Sequence, residues 1–186
     1  MNKYFNVKTL KTKNKYFKYV LQGEGPLVML VHGWPETWIS WKKQISFISQ
    51  LGFQVLAFNM RGYAGSFSPK KLSDYSLKFF MEDILDIMSF LKKDKAILIG
   101  HDWGAPICWT TAAYFEEKIL GVIGLSVPFT KRGKVSNIKL WENLYKDSFF
   151  YQNYFQKIGI PERELEKDVL ISLKKIYYLV FCRGIF

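Results

Sequence analysis

Cysteine and histidine each occur only twice in these 186 residues. Two thiols, Cys108 and Cys182, without a Cys-x-x-Cys spacing, exclude a disulfide framework, and no structural metal is expected. No run is long and apolar enough to span a bilayer, and no basic segment followed by an apolar core and a cleavage site opens the chain. Stable membrane insertion is therefore not expected, and the cytoplasm is the expected compartment. Repeats and low-complexity tracts are also missing. Acidic residues are in short supply, 16 against 27 Lys and Arg, which leaves a net charge of +11. Such a balance would suit nucleic acid or an anionic surface. The lysines are scattered, however, and no nucleic-acid motif accompanies them, so no nucleic-acid partner is expected.

What the chain does contain is a series of apolar runs that break at glycine-bearing turns. Pro26-Leu27-Val28-Met29-Leu30-Val31 has the unbroken apolar character of a parallel strand buried on both faces. It leads into His32-Gly33-Trp34-Pro35-Glu36 and then a helix carrying Trp38, Trp41, Ile45 and Ile48. A second run, Phe53 to Phe58, ends at Asn59-Met60-Arg61-Gly62-Tyr63-Ala64-Gly65-Ser66, and a third starts at Lys95 and breaks at Gly100-His101-Asp102-Trp103-Gly104. Residues 4–9 and 16–21 alternate as an antiparallel hairpin would, and 76–92 place Leu77, Phe80, Ile84, Ile87, Met88 and Leu91 at helical spacing. A helix over 103–117 and a strand from Ile119 to Val127 complete the pattern, which is that of an α/β fold with a mostly parallel sheet.

The Gly-x-Asp-x-Gly turn has the spacing of a nucleophile elbow with a carboxylate in place of the usual hydroxyl. Gly100 and Gly104 would let the chain turn sharply and push Asp102 out at the carboxyl end of the sheet. An ionised Asp needs no base to attack an electrophilic carbon. The pentapeptide alone equally allows Asp102 to be the N-cap of the next helix. A second glycine-bearing turn at His32–Glu36, at the same edge of a parallel sheet, favours the nucleophile, because the N–H groups of Trp34 and Trp103 could then converge on one oxygen.

Taken together, His32-Gly33-Trp34-Pro35-Glu36, Arg61-Gly62-Tyr63, Gly100-His101-Asp102-Trp103-Gly104-Ala105, Val127-Pro128-Phe129 and Tyr151-Gln152-Asn153-Tyr154-Phe155-Gln156 resemble an α/β hydrolase of the epoxide hydrolase family, in the branch with an Asp nucleophile. Trp34 favours this branch over haloalkane dehalogenases. Asn59 and Ala64 depart from the family pattern, where Asp and Gly are usual, and put the local stability of that turn in doubt. The resemblance implies the α/β-hydrolase fold: residues 1–130 as the N-terminal part of the core and 131–186 as the beginning of a helical cap, with the chain truncated within the cap and the C-terminal core segment absent. It implies Asp102 as nucleophile, Tyr151 as the lid group that protonates the epoxide oxygen, Trp34 and Trp103 as the oxyanion hole, and His32 and His101 as residues orienting the turns. The implied substrate is a small hydrophobic epoxide, and no cofactor is expected.

The family's triad runs nucleophile, acid, histidine, yet neither His32 nor His101 follows Asp102. Turnover by this chain alone is therefore not expected, and a complementing polypeptide is one way to complete it. The strand at 119–127 would then be an open edge, and the chain prone to aggregate. Other readings are a haloalkane or haloacid dehalogenase-like hydrolase, a non-catalytic truncated remnant, and a ligand-binding protein.

Overall fold

The computed structural model describes residues 5–12, 14–131 and 133–182. They divide into two compact units, 1–129 and 130–186. The first is built on a six-stranded sheet in the order β1-β2-β4-β3-β5-β6, from β1 (Lys8–Lys11), β2 (Tyr16–Gln22), β3 (Leu27–Val31), β4 (Gln54–Phe58), β5 (Ala96–His101) and β6 (Ile119–Leu125). β1 and β2 pair antiparallel, β2 pairs antiparallel with β4, and β4, β3, β5 and β6 run parallel.

Strand alternation sorts the apolar runs into two layers. Leu27, Met29, Val31, Leu56, Phe58 and Leu98 point to one face, where Ile84, Ile87 and Met88 of α2 (Leu77–Phe90) and Ile107 and Cys108 of α3 (Gly104–Tyr114) cover them. Val28, Leu30, Val55, Ala57 and Ile99 point the other way, under a helical turn at Trp38–Trp41 and α1 (Lys42–Gln50), through Trp38, Trp41 and Ile45. All five residues of β3 are buried, as its unbroken apolar run requires.

β6 lies at the sheet edge, with Leu120 57% and Ile123 50% exposed. Ile123 pairs with Ile99 and so belongs to the face that α1 covers farther in; at β6 that cover has ended.

Several boundaries differ from the sequence reading. The first strand begins at Lys8, because Leu10 pairs with Phe17 and both are fully buried, which sets the register; Tyr4 lies outside the described residues. β6 stops at Leu125, since Ser126 takes a left-handed φ of 70° that a strand cannot continue. On α2, Leu77 is exposed and Met81 is buried with Ile84, Ile87 and Met88. The Asn59 turn is a larger correction. Asn59 is buried, its Oδ1 accepting from Trp38 N–H at 2.8 Å and its Nδ2 donating to the Ala64 carbonyl at 3.1 Å. The amide joins two segments with one donor and one acceptor, so it strengthens the turn. Ala64 does carry strain, at φ 31°.

A buried ion pair fixes the same loop to α2. Arg61 donates to both Asp83 oxygens at 2.6 Å, to the Phe79 carbonyl at 2.9 Å and to the Asp74 carbonyl. Its guanidinium lies over the rings of Phe79 and Phe80. Lys15 reaches Asp83 and Asp86 from the N-terminal hairpin.

The second unit contains α4 (Asn137–Leu144), α5 (Tyr151–Tyr154), α6 (Ile160–Leu165) and α7 (Val169–Cys182). The Ser136 hydroxyl caps α4, and Glu162 Oε2 accepts from Gly159 N–H at the start of α6. Between α4 and α5, Tyr145 and Phe150 stack at 4.2 Å, with Trp141 edge-on to Phe150.

Candidate active site

The carboxyl ends of β3, β4 and β5 bring three loops together. At the end of β5 the chain reverses within two residues. Asp102 has a left-handed φ of 50°, and its carbonyl accepts from Ala105 N–H at 3.0 Å. Neither Gly100 nor Gly104 has a positive φ. Gly104 is required for a different reason: a Cβ there would collide with the Val31 carbonyl oxygen and lie 2.7 Å from that of His32, so the start of α3 could not approach the end of β3. The strained conformation falls on the functional candidate itself, at a cost of order 1–3 kcal/mol.

The Asp102 carboxylate does not cap α3. Its Oδ1 accepts from the Trp34 N–H at 2.9 Å, across the sheet edge. Gly33 makes this possible, since a Cβ at that position would lie 2.5 Å from Asp102 Oδ1 and 2.9 Å from its Cγ. Trp103 follows directly, and its N–H belongs to the helix start, where backbone donors lack intrahelical acceptors. The Trp103 side chain is 41% exposed.

The Trp34 turn is held from two sides. Glu36 Oε2 accepts from Gly33 N–H at 3.1 Å and is 3.0 Å from His101 Nδ1, so one carboxylate ties the turn after β3 to the end of β5. His101 is 35% exposed and paired, not a core histidine. His32 is fully buried behind the turn. Its Nε2 accepts from Met60 N–H at 3.0 Å, so the ring proton sits on Nδ1 and donates to the Gly33 carbonyl at 2.8 Å. Burial lowers its pKa from 6.5 to about 4, against smaller opposing effects of the Gly33 carbonyl and the Glu36 charge. His32 is thus neutral, with both nitrogens engaged. Tyr63 packs edge-on against it at 4.7 Å. Burial raises the Tyr63 pKa, and the charges of Asp102 and Glu36 add to the rise, so this phenol stays protonated beside the site.

The fold therefore assembles His32, Trp34, His101, Asp102 and Trp103 in the first unit, while Tyr151 opens α5 in the second. Two contributors escaped the sequence reading. The i to i+3 spacing of Gly33 and Glu36 is a detectable turn signal; Tyr63 belongs to the Arg61-Gly62-Tyr63 motif, but only the placement of β4 beside β3 brings it to His32. Among the described residues there is no cluster of three or more His, Cys, Asp or Glu side chains that could hold a metal, and no helix long and apolar enough to cross a membrane.

A family described as alpha/beta hydrolase fold matches residues 26–164. The chain belongs to the α/β-hydrolase fold family, as the sheet order and elbow lead one to expect. Within it, the chain resembles epoxide hydrolases. It is 37% identical over 160 residues to Bifunctional epoxide hydrolase 2 of Sus scrofa, covering 86% of this chain and 28% of that protein. It is 39% identical over 172 residues to Epoxide hydrolase B of Mycobacterium tuberculosis, covering 87% of this chain and 48% of that protein. The crystal structure of Epoxide Hydrolase A from Mycobacterium thermoresistibile superposes with a TM-score of 0.89 at 32% identity, over 93% of this chain and 55% of that one. The chain thus spans about half the length, or less, of the relatives it matches.

Proposed function

We propose that these residues carry the alkylation half of an epoxide hydrolase reaction, with Asp102 as nucleophile. The observation behind this reading is the Asp102 carboxylate, raised on a left-handed residue and held by the Trp34 N–H at 2.9 Å. With Oδ1 so engaged, Oδ2 attacks an epoxide carbon, the carbon–oxygen bond of the ring breaks, and the departing alkoxide takes a proton from Tyr151. The product is a hydroxyalkyl ester on Asp102. Its carbonyl oxygen is the former Oδ1, which already lies within the distance that an oxyanion donor needs. Trp34 and Trp103 N–H groups then stabilise the oxyanion when water attacks that carbonyl.

The water needs a base, and neither histidine in hand suits the task. His32 is buried, neutral and doubly bonded, and His101 ends β5 directly before Asp102, where strand alternation turns its side chain away from the nucleophile. We assign the base to polypeptide outside these 186 residues, whether continuous with Phe186 or a separate chain. The exposed Leu120 and Ile123 on edge strand β6 support this, since a further strand and a helix on the α1 side would bury them. On the same reading, residues 131–186 are the beginning of a cap, and the substrate is a small hydrophobic epoxide.

Intact mass after incubation with an aryl epoxide tests the proposal. A stable adduct that maps to Asp102, is lost in Asp102→Asn and forms without diol is the expected result. No adduct would overturn it in favour of an inert remnant or a ligand-binding protein, and halide release from a haloalkane would make the chain dehalogenase-like.

A further inference from the structure

We propose that Gln152 is a positioning residue for Tyr151: its side-chain amide donates to the phenolic oxygen and commits the Tyr151 hydroxyl to donating its own proton. The inference rests on Tyr151 being the group that protonates the epoxide oxygen. Gln152 Nε2 lies 2.8 Å from the Tyr151 hydroxyl oxygen. Successive side chains on a helix diverge, so neighbours in sequence do not ordinarily meet. Here the Gln152 side chain folds back along α5 to reach its predecessor. The arrangement is braced: Gln156 Nε2 donates to the Gln152 carbonyl at 3.0 Å, and the Tyr151 ring packs against Phe150 at 5.3 Å and edge-on to Phe155 at 5.6 Å.

The rest of the amide does not explain the folded-back conformation. Gln152 Oε1 is buried with no hydrogen-bond partner among the described residues, an arrangement that is unfavourable by itself. The Nε2 contact to Tyr151 is thus the polar interaction that favours it. A donor on the phenolic oxygen does two things. It fixes the in-plane direction of the O–H, and it stabilises the negative charge that grows on the oxygen as the proton passes to the alkoxide.

The test combines two measurements on the 186-residue chain: NMR titration of 13Cζ-labelled tyrosines, with Tyr151 assigned through Tyr151→Phe, and the rate of adduct formation on Asp102 as a function of pH. In Gln152→Leu the Tyr151 midpoint should move upward, adduct formation at neutral pH should slow about threefold to tenfold, and the alkaline limb of the rate should move with the midpoint. Gln152→Glu offers only acceptors and should go further in the same direction. A midpoint unchanged in Gln152→Leu, or a Gln152→Glu variant that behaves as the parent, overturns the proposal. If Tyr151→Phe slows alkylation and Gln152→Leu does not, Gln152 alone is refuted. If the parent forms no adduct, the reaction proposed above fails, and the titration still decides whether the amide acts on the phenol.

Discussion

His32 makes the stability of the first unit depend on pH in a way that can be worked out from its surroundings. The ring is neutral in the native state because it is fully buried and its Nε2 accepts from Met60 N–H, which outweighs the opposing bond from its Nδ1–H to the Gly33 carbonyl. Protonating Nε2 would set a cation against a backbone donor in a fully buried place, and the native pKa falls from 6.5 to about 4. Between these values the unfolded chain binds a proton that the native chain refuses. Stability therefore rises with pH through that window, is fully present above about 6.5, and has been lost by about 4. At 1.36 kcal/mol per pKa unit, the difference between 6.5 and about 4 amounts to roughly 3 kcal/mol, a large part of a domain's ordinary margin. Urea unfolding followed by tryptophan fluorescence, at neutral pH and near pH 4, reads this directly. Other carboxylates titrate over the same range, so the comparison must be with His32→Gln, which is less stable at neutral pH but does not titrate. The parent should lose about 3 kcal/mol more than the variant across the window. Equal losses in the two proteins would refute the assigned tautomer and the burial argument together.

Three further substitutions test the geometry of the turns. Gly33→Ala forces a methyl group against Asp102 and should destabilise by about 1–3 kcal/mol and slow adduct formation at least about tenfold as the carboxylate is displaced; parent-like kinetics would mean that the elbow is looser than described. Asn59→Asp keeps the acceptor for Trp38 N–H but turns an oxygen toward the Ala64 carbonyl, so the urea midpoint should fall by the equivalent of about 1–3 kcal/mol. Ala64→Gly relieves a left-handed alanine and should raise stability by about 1 kcal/mol in the same assay, and a loss would show that the strain lies elsewhere.

Much of the sheet was legible because its strands are buried on both faces. Leu27 to Val31 had to be a central parallel strand, and nothing in that run offers a polar face. The elbow was legible too, since a Gly-x-Asp-x-Gly turn between a strand and a helix leaves few conformations. The reason for its glycines was not. Gly104 answers to the carbonyls of Val31 and His32, neighbours far away in sequence that no local pattern announces. Asn59 shows the same limit from the other side: as a departure from a family pattern it suggested a weakened turn, while its two hydrogen bonds, to Trp38 and Ala64, make it a connector. The bonds of Arg61 to Asp83 and of Glu36 to His101 likewise join residues that become neighbours only after parallel pairing.

The pairing of Leu27 with Ala96 and of Val31 with Gly100 has a kinetic consequence. Contacts so far apart in sequence are slow to form, because a long intervening loop must close before they contribute. The hairpin of β1 and β2 can form early from neighbours, but the hydrogen bond from Trp34 to Asp102 cannot exist until β5 has docked on β3. Reactivity of Asp102 would then appear only once β5 has docked on β3, and an epoxide that labels it would serve as a clock for that docking.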